Sequence, residues 1–259
     1  MHPELFNFQL PFYTHNVTIY TYAFCIVIGT LLASLYTKWS AKKELNIVHL
    51  PNTFFYIIFI AGFIGGKLFF YLERPLHFWN NPKLMLDNFS GGFVFYGSFV
   101  TIIPIVIWYL KNRKIPVLPM LDILAITTII AHSLGRIGCF NAGCCYGSET
   151  TSFFGNTFPN SNNLAVHPTQ LYEATTLILF AIILLYIKKR QQFKGQLFLL
   201  YIGMYAISRA ILELFRGDNR GYVIDNYLSH SQFIAILILL TSIFFYKKLK
   251  TKNKLILNN

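Results

Sequence analysis

Charge is what this sequence has least of. Asp, Glu, Lys and Arg together make up 12% of its 259 residues, about half of the roughly 25% found in ordinary soluble domains. So little charge cannot cover a water-facing surface, and the solvent expected around most of the chain is lipid. Acidic residues are scarcer still: 10, against 22 Lys and Arg, for a formal net charge of +12. On a soluble protein that excess would suggest nucleic acid. Here the basic residues sit in short gaps between apolar runs, as cytoplasmic loops do under the positive-inside rule, and no nucleic-acid partner is expected. Cysteine is too rare, four residues in all, to build a disulfide scaffold, and no two are spaced C-x-x-C. No internal repeat, Gly/Ser linker or low-complexity stretch interrupts the chain. Met1–Asn16 has no basic start, so no cleavable signal peptide is expected. Apolar and aromatic residues dominate instead: 54% hydrophobic, with 26 Phe and 16 Tyr. That excludes disorder.

A bilayer core needs about 20 apolar residues per helix. Seven segments qualify: Val17–Thr37, Thr53–Leu72, Gly92–Leu110, Val117–Phe140, Thr169–Ile187, Gln196–Phe215 and Ser229–Tyr246. The third contains Pro104, which can kink a span without ending it when neighbouring helices satisfy the freed carbonyl. The fold class expected is an all-α integral membrane protein of about seven transmembrane helices in a single polytopic domain, residues 1–259. Alternate loops carry three, three, four and five Lys or Arg, fifteen in all, and the opposite side carries four. This bias places the N-terminus outside and the C-terminus in the cytoplasm. Asn141–Pro168 is then a long extracytoplasmic loop.

Six ionisable residues lie inside these spans: Lys67, Arg136, Arg209, Asp122, Glu173 and Glu213. Each costs at least ~2.5 kcal/mol near the bilayer centre, so such groups face a partner or a wet cavity unless they snorkel from a helix end. Asp122 and Glu173 are near helix starts and fit either description. The densest chemistry is in Ala131–Gly147, AHSLGRIGCFNAGCCYG. There His132, Arg136 and Cys139 fall at i, i+4 and i+7 on one helix face. The planar fork of Arg136 suits a lipid phosphate, and Gly143 and Gly147 read as the turn that ends the helix. Arg209, Glu213 and Arg216 repeat the i, i+4, i+7 spacing at the end of the sixth span, as an anion site or an ion-paired staple. His167, Gln170 and Glu173 open the fifth span behind Pro168. Cys139, Cys144 and Cys145, with His132, allow a zinc or copper site, a disulfide or a reactive thiol. Cys25 reads as a small core residue.

Together these segments resemble one family. GRIGCFNAGCCYG is similar to the signature of bacterial prolipoprotein diacylglyceryl transferases, roughly GR-x-G-N-F-x-N-G-E-x-x-G. HPTQLYE is close to the family's HPSQLYE, YAISRAILELFR resembles its late-helix pattern, and GGKLFFYL its early GGR-x-x-Y segment. The resemblance covers nearly the whole chain. It implies a multi-pass enzyme of the bacterial cytoplasmic (inner) membrane that moves the diacylglyceryl group of phosphatidylglycerol onto the lipobox cysteine thiol of a preprolipoprotein. A thioether forms and glycerol phosphate leaves. It implies no cofactor and no metal. It places Arg136, Arg216, Cys139, Gly147, His167 and Gln170 around phosphatidylglycerol, and Arg209, His132, Tyr22, Tyr96 and Glu213 at the chemistry. Three positions depart from the pattern. Tyr96 stands where the family has a histidine in G-G-x-x-F-H-G-G, Cys139 replaces its Asn, and Ala142-Gly143-Cys144 replaces N-G-E. Tyrosine, with an ordinary pKa of about 10, is a poor base at neutral pH, whereas His132, one turn before Arg136, can serve. A membrane lipid or acyl transferase with another acceptor, Cys-based through Cys139 or Cys144, and a non-enzymatic lipid-binding protein are the competing expectations.

Overall fold

The structure is a computed structural model that describes residues 4–9, 16–72, 75–80, 83, 85, 94–216, 222–224 and 228–258. In chain order the elements are β1 (Glu4–Gln9), β2 (Asn16–Tyr20), α1 (Thr21–Leu45), α2 (Asn52–Leu72), α3 (Pro75–Asn80), α4 (Phe95–Asn112), α5 (Val117–Asn141), β3 (Asn156–Thr157), β4 (Ala165–Val166), α6 (Thr169–Lys188), α7 (Gln196–Leu212), a 3-10 turn (Glu213–Phe215), β5 (Tyr222–Ile224), β6 (Leu228–Ser229) and α8 (His230–Asn258). Six helices among the described residues are long and apolar enough to cross a membrane, which makes this a multi-pass helical membrane protein. The expected third span corresponds to α4, an 18-residue helix with Pro104 inside it. Its described apolar stretch, Gly97–Asn112, is shorter than the other six.

The all-helical expectation needs one amendment. Among the described residues there are three two-stranded antiparallel pairs: β1–β2 ahead of α1, and β3–β4 and β5–β6 in the connections that follow α5 and α7. Val17–Tyr20, expected as the start of the first span, belongs to β2 and pairs with β1, because its β-branched and aromatic residues suit a strand. At the other end α8 runs past Tyr246 to Asn258. The tail residues there are mostly Lys and Leu, which favour helix.

The chain divides into two compact units, residues 41–120 and residues 1–40 with 121–259. In the smaller unit α2 and α4 pack through small residues. Ser98 Oγ donates to the Gly62 carbonyl at 2.7 Å and the Val94 amide to Gly66 O at 3.1 Å. Lys67 is buried in this unit, its Nζ 5.7 Å from the Phe70 ring centroid, a cation–π arrangement. Tyr96 lies in the first turn of α4; its side chain is outside the described residues.

In the larger unit α5, α6 and α7 close around Ala125, Ile126, Ile129, Leu177, Leu184, Leu197 and Tyr201. Lipid tails are as apolar as these side chains, so dispersion and interhelical hydrogen bonds hold the helices together. One such bond joins Thr37 and Thr127 at 2.7 Å. Large apolar residues such as Ile182, Leu240 and Phe244 are exposed, the surface expected to meet lipid.

Asp122 is the clearest structural carboxylate, and it is buried rather than snorkelling. It accepts from the amides of Gly195 (2.7 Å) and Phe198 (3.0 Å) and from Gln191 Nε2 (2.5 Å). A residue of α5 therefore caps the N-terminus of α7, satisfying donors that every helix start leaves open. Asp122→Ala is expected to cost about 4 kcal/mol or more, since it removes three hydrogen bonds to a charged group that contribute about 1.5–3 kcal/mol each. The loss should appear as lower membrane accumulation and a lower Tm in detergent; an unchanged Tm would remove the cap from the account.

Candidate functional site

Glu173, in the first turns of α6, is the centre of a buried polar cluster. Its Oε2 lies 3.0 Å from Arg136 Nε and its Oε1 3.3 Å from His132 Nε2. Tyr205 of α7 donates its hydroxyl to Oε1 at 3.1 Å and packs edge-on against the His132 ring. Three helices thus converge on one carboxylate that is 3% exposed. Arg136 Nε also approaches His132 Nε2 at 3.3 Å. It has a single hydrogen, and the shorter, charge-assisted bond to Glu173 takes it. His132 Nε2–H then donates to Oε1, and the basic lone pair of the neutral imidazole falls on Nδ1. The expected shared face of His132, Arg136 and Cys139 is present. Helical spacing alone does not give the partner: Glu173 belongs to the separate HPTQLYE motif, and Tyr205 carries no sequence signal of its own.

Arg209 and Glu213 form the second pair, Nη2 to Oε2 at 3.0 Å, both nearly buried. Arg209 Nη1 is buried with no hydrogen-bond partner among the described residues. Half of a guanidinium fork left open inside a protein is costly unless an anion fills it. The expected helical stripe through Arg216 does not form. The α-helix gives way to the 3-10 turn Glu213–Phe215, and Arg216 is extended at φ −91°, ψ 137°, so it leaves the face of Arg209. Arg209 still exerts its field on Glu173, and Arg216 exerts its own on Cys145.

The segment after α5 folds back onto this cluster. Gly143 takes φ 67° and closes the helix as the sequence suggested. Gly147 is needed for a different reason. A Cβ there would run into the Phe215 carbonyl and come within 2.8 Å of Thr169 Cγ2. Its amide donates to His167 O at 2.8 Å, and the Ser148 amide to Phe215 O at 2.8 Å. His167 Nδ1 meets the Tyr172 hydroxyl at 3.2 Å and its ring packs on Phe215, which makes it a brace at the start of α6. Gln170 Nε2 donates to Cys144 O at 2.6 Å and Thr169 Oγ1 to Cys145 O at 2.9 Å.

Cys139, Cys144 and Cys145 are free thiols whose sulfurs all lie within 4.8 Å of one another. Cys145 is held well below the ordinary thiol range, by hydrogen bonds from Cys139 and Cys144 and then by the Arg136 and Arg216 charges. Cys144 is pushed up on balance: its hydrogen bond with Cys139 lowers it, but its bond to Cys145 and burial outweigh that. Tyr22 and Cys25 of α1 pack on Gly138, where a Cβ would sit 3.0 Å from Cys25 Cβ and 3.2 Å from Tyr22 Cδ2. That brings Tyr22 to the cysteine side of the cluster.

Beside the Arg209 end runs a groove of about 430 Å³ between α6 and α7, lined by Tyr172, Thr176, Phe180, Met204, Ile207, Ser208, Ile211, Leu212 and Phe215. Its lining is almost wholly apolar, and it has the size and character of a site for an aliphatic chain.

Fold and site together define a multi-pass helical membrane protein in which a guanidinium-rich polar centre adjoins a lipid-sized apolar groove. Residues 9–247 match the family described as prolipoprotein diacylglyceryl transferase, and the chain belongs to that family. The phosphatidylglycerol–prolipoprotein diacylglyceryl transferase of Clostridium tetani is 37% identical over 236 residues, covering 89% of this chain and 93% of its own length. Transferase 2 of the same name from Clostridium perfringens is 34% identical over 245 residues, covering 92% and 94%. The Rickettsia akari transferase is 31% identical over 239 residues, covering 88% and 92%.

Proposed function

We infer that this chain is a phosphatidylglycerol–prolipoprotein diacylglyceryl transferase, a membrane enzyme of lipoprotein biosynthesis. The observation that carries the reading at the site is the buried Arg136–Glu173–His132 cluster beside Arg209, whose Nη1 has no hydrogen-bond partner among the described residues. A phosphodiester headgroup is an anion, the kind of ligand that guanidinium groups hold. Arg136 spends Nε on Glu173 and keeps its terminal nitrogens for phosphate oxygens. Arg209 adds Nη1, and Glu213 holds it in place. The groove between α6 and α7 takes an acyl chain of the donor. The acceptor is the lipobox thiol of a preprolipoprotein, arriving from outside the cytoplasm on the side of the Cys144–Cys145 turn.

The reaction is displacement at carbon. The thiol sulfur bonds the glycerol carbon, the C–O bond to phosphate breaks, and glycerol phosphate leaves with the electron pair. The thiol proton goes to His132: Glu173 fixes its Nε2–H, so the basic atom is Nδ1, which is buried and is met only once the acceptor has entered the site. Guanidiniums aimed at the phosphate stabilise charge that grows as the leaving group departs, the general role of preorganised donors. Tyr22, Cys139, Gly147, His167 and Gln170 shape the wall around these groups.

Rescue of a conditional strain lacking its own transferase tests the reading, with lipoprotein gel mobility as the readout. Restored growth with mature mobility is expected. Membrane-accumulated protein that leaves lipoproteins unmodified would overturn it.

A further inference from the structure

The three-cysteine cluster is not used by the chemistry above, and it is built with care. Cys139, Cys144 and Cys145 bring their sulfurs within 4.8 Å of one another. A tetrahedral zinc with bonds of about 2.3 Å needs sulfurs about 3.8 Å apart, so a shift of about an ångström closes the set. The backbone is held for it. The Cys144 amide donates to Cys139 O at 3.2 Å, the buried side chains of Gln170 and Thr169 grip the Cys144 and Cys145 carbonyls, and Cys145 is kept at φ 65°, a left-handed conformation. A non-glycine residue held there is worth a reason, and here it turns two adjacent cysteines toward the same sulfur of α5. Supporting bonds of this kind orient metal ligands.

We propose that Cys139, Cys144 and Cys145 form a three-thiolate zinc site whose fourth position is taken by the thiol of the acceptor peptide. The proposal rests on the transferase reading. Three protein ligands with one open position are the pattern of reactive zinc sites, and zinc deprotonates a thiol that coordinates it. That supplies what S-alkylation demands: a thiolate at neutral pH without a strong base. The step balances. The acceptor thiol loses its proton to His132 as sulfur binds zinc. The zinc-bound sulfur forms the C–S bond while the C–O bond to phosphate breaks. The neutral thioether, a poor ligand, then leaves zinc with its three cysteines.

The test is metal analysis of protein purified reduced in detergent without chelator. About one zinc per chain is expected, falling below about 0.2 in Cys139→Ser or Cys145→Ser. As these variants can misfold, wild-type protein stripped and reloaded with Co2+ gives an independent readout: a thiolate charge-transfer band that grows by about a third, from three sulfurs to four, with a lipobox peptide and is unchanged by its Cys→Ser form. Absence of that band, or a disulfide between any two of the three in anaerobic protein, overturns the proposal. Zinc-stripped protein should transfer at least about tenfold more slowly and recover with zinc. Undiminished transfer without zinc would end the zinc role and leave the transferase reading intact. Stoichiometric zinc in a protein that transfers nothing from phosphatidylglycerol would end the transferase reading and, with it, the acceptor's place on the metal.

Discussion

Arg136→Ala is expected to reduce transfer by about a thousandfold or more, the scale of losing a transition-state electrostatic contact worth about 4 kcal/mol. The variant also leaves the buried Glu173 carboxylate with only His132 and Tyr205 as partners, so its membrane level should fall as well and the rate is compared per unit of extracted protein. Arg136→Lys should fare little better, losing about a hundredfold. A lysine keeps the charge but cannot spend one nitrogen on Glu173 and present a planar pair to phosphate. Initial rates with phosphatidylglycerol and a lipobox peptide, normalised to detergent-extracted protein, decide it. If Arg136→Lys works as well as the parent, bidentate recognition is wrong and a plain positive charge suffices.

His132→Gln and His132→Asn are expected to lose about a hundredfold, the lower range for a general base. An amide can still donate to Glu173 but cannot take a proton at neutral pH. Full activity in either variant would leave His132 as packing. Glu173→Gln separates positioning from chemistry. It leaves the Arg136 charge without its carboxylate, and breaking such a buried pair costs about 3–5 kcal/mol. Both membrane level and rate should fall, whereas the His132 amides should lower the rate alone. Tyr96→Phe should keep most of the activity, since a phenol with an ordinary pKa of about 10 is a poor base at neutral pH.

Much of this was legible in the chain itself. Half the usual charge and long apolar runs determined a helical membrane protein, because a bilayer forces apolar length and internal backbone pairing on any spanning segment. Helical spacing put His132, Arg136 and Cys139 on one face, since that geometry is local. The family motifs picked out the same stretch. Tertiary structure decided the rest. Nothing in the spacing could say that Glu173, 37 positions after Arg136 by number, would be the carboxylate joining Arg136 to His132, or that Tyr205 would complete it; only the packing of α5, α6 and α7 brings them together. Asp122 read equally well as a helix-end residue until α7 was seen to start against it. The period that puts Arg216 on the face of Arg209 holds only while the α-helix lasts, and the helix gives way to a 3-10 turn at Glu213. The polar stretch after α5 read as a long loop. Folded, it is a pinned turn that gathers three sulfurs, and that gathering depends on backbone bonds from Thr169 and Gln170, two dozen or more residues away.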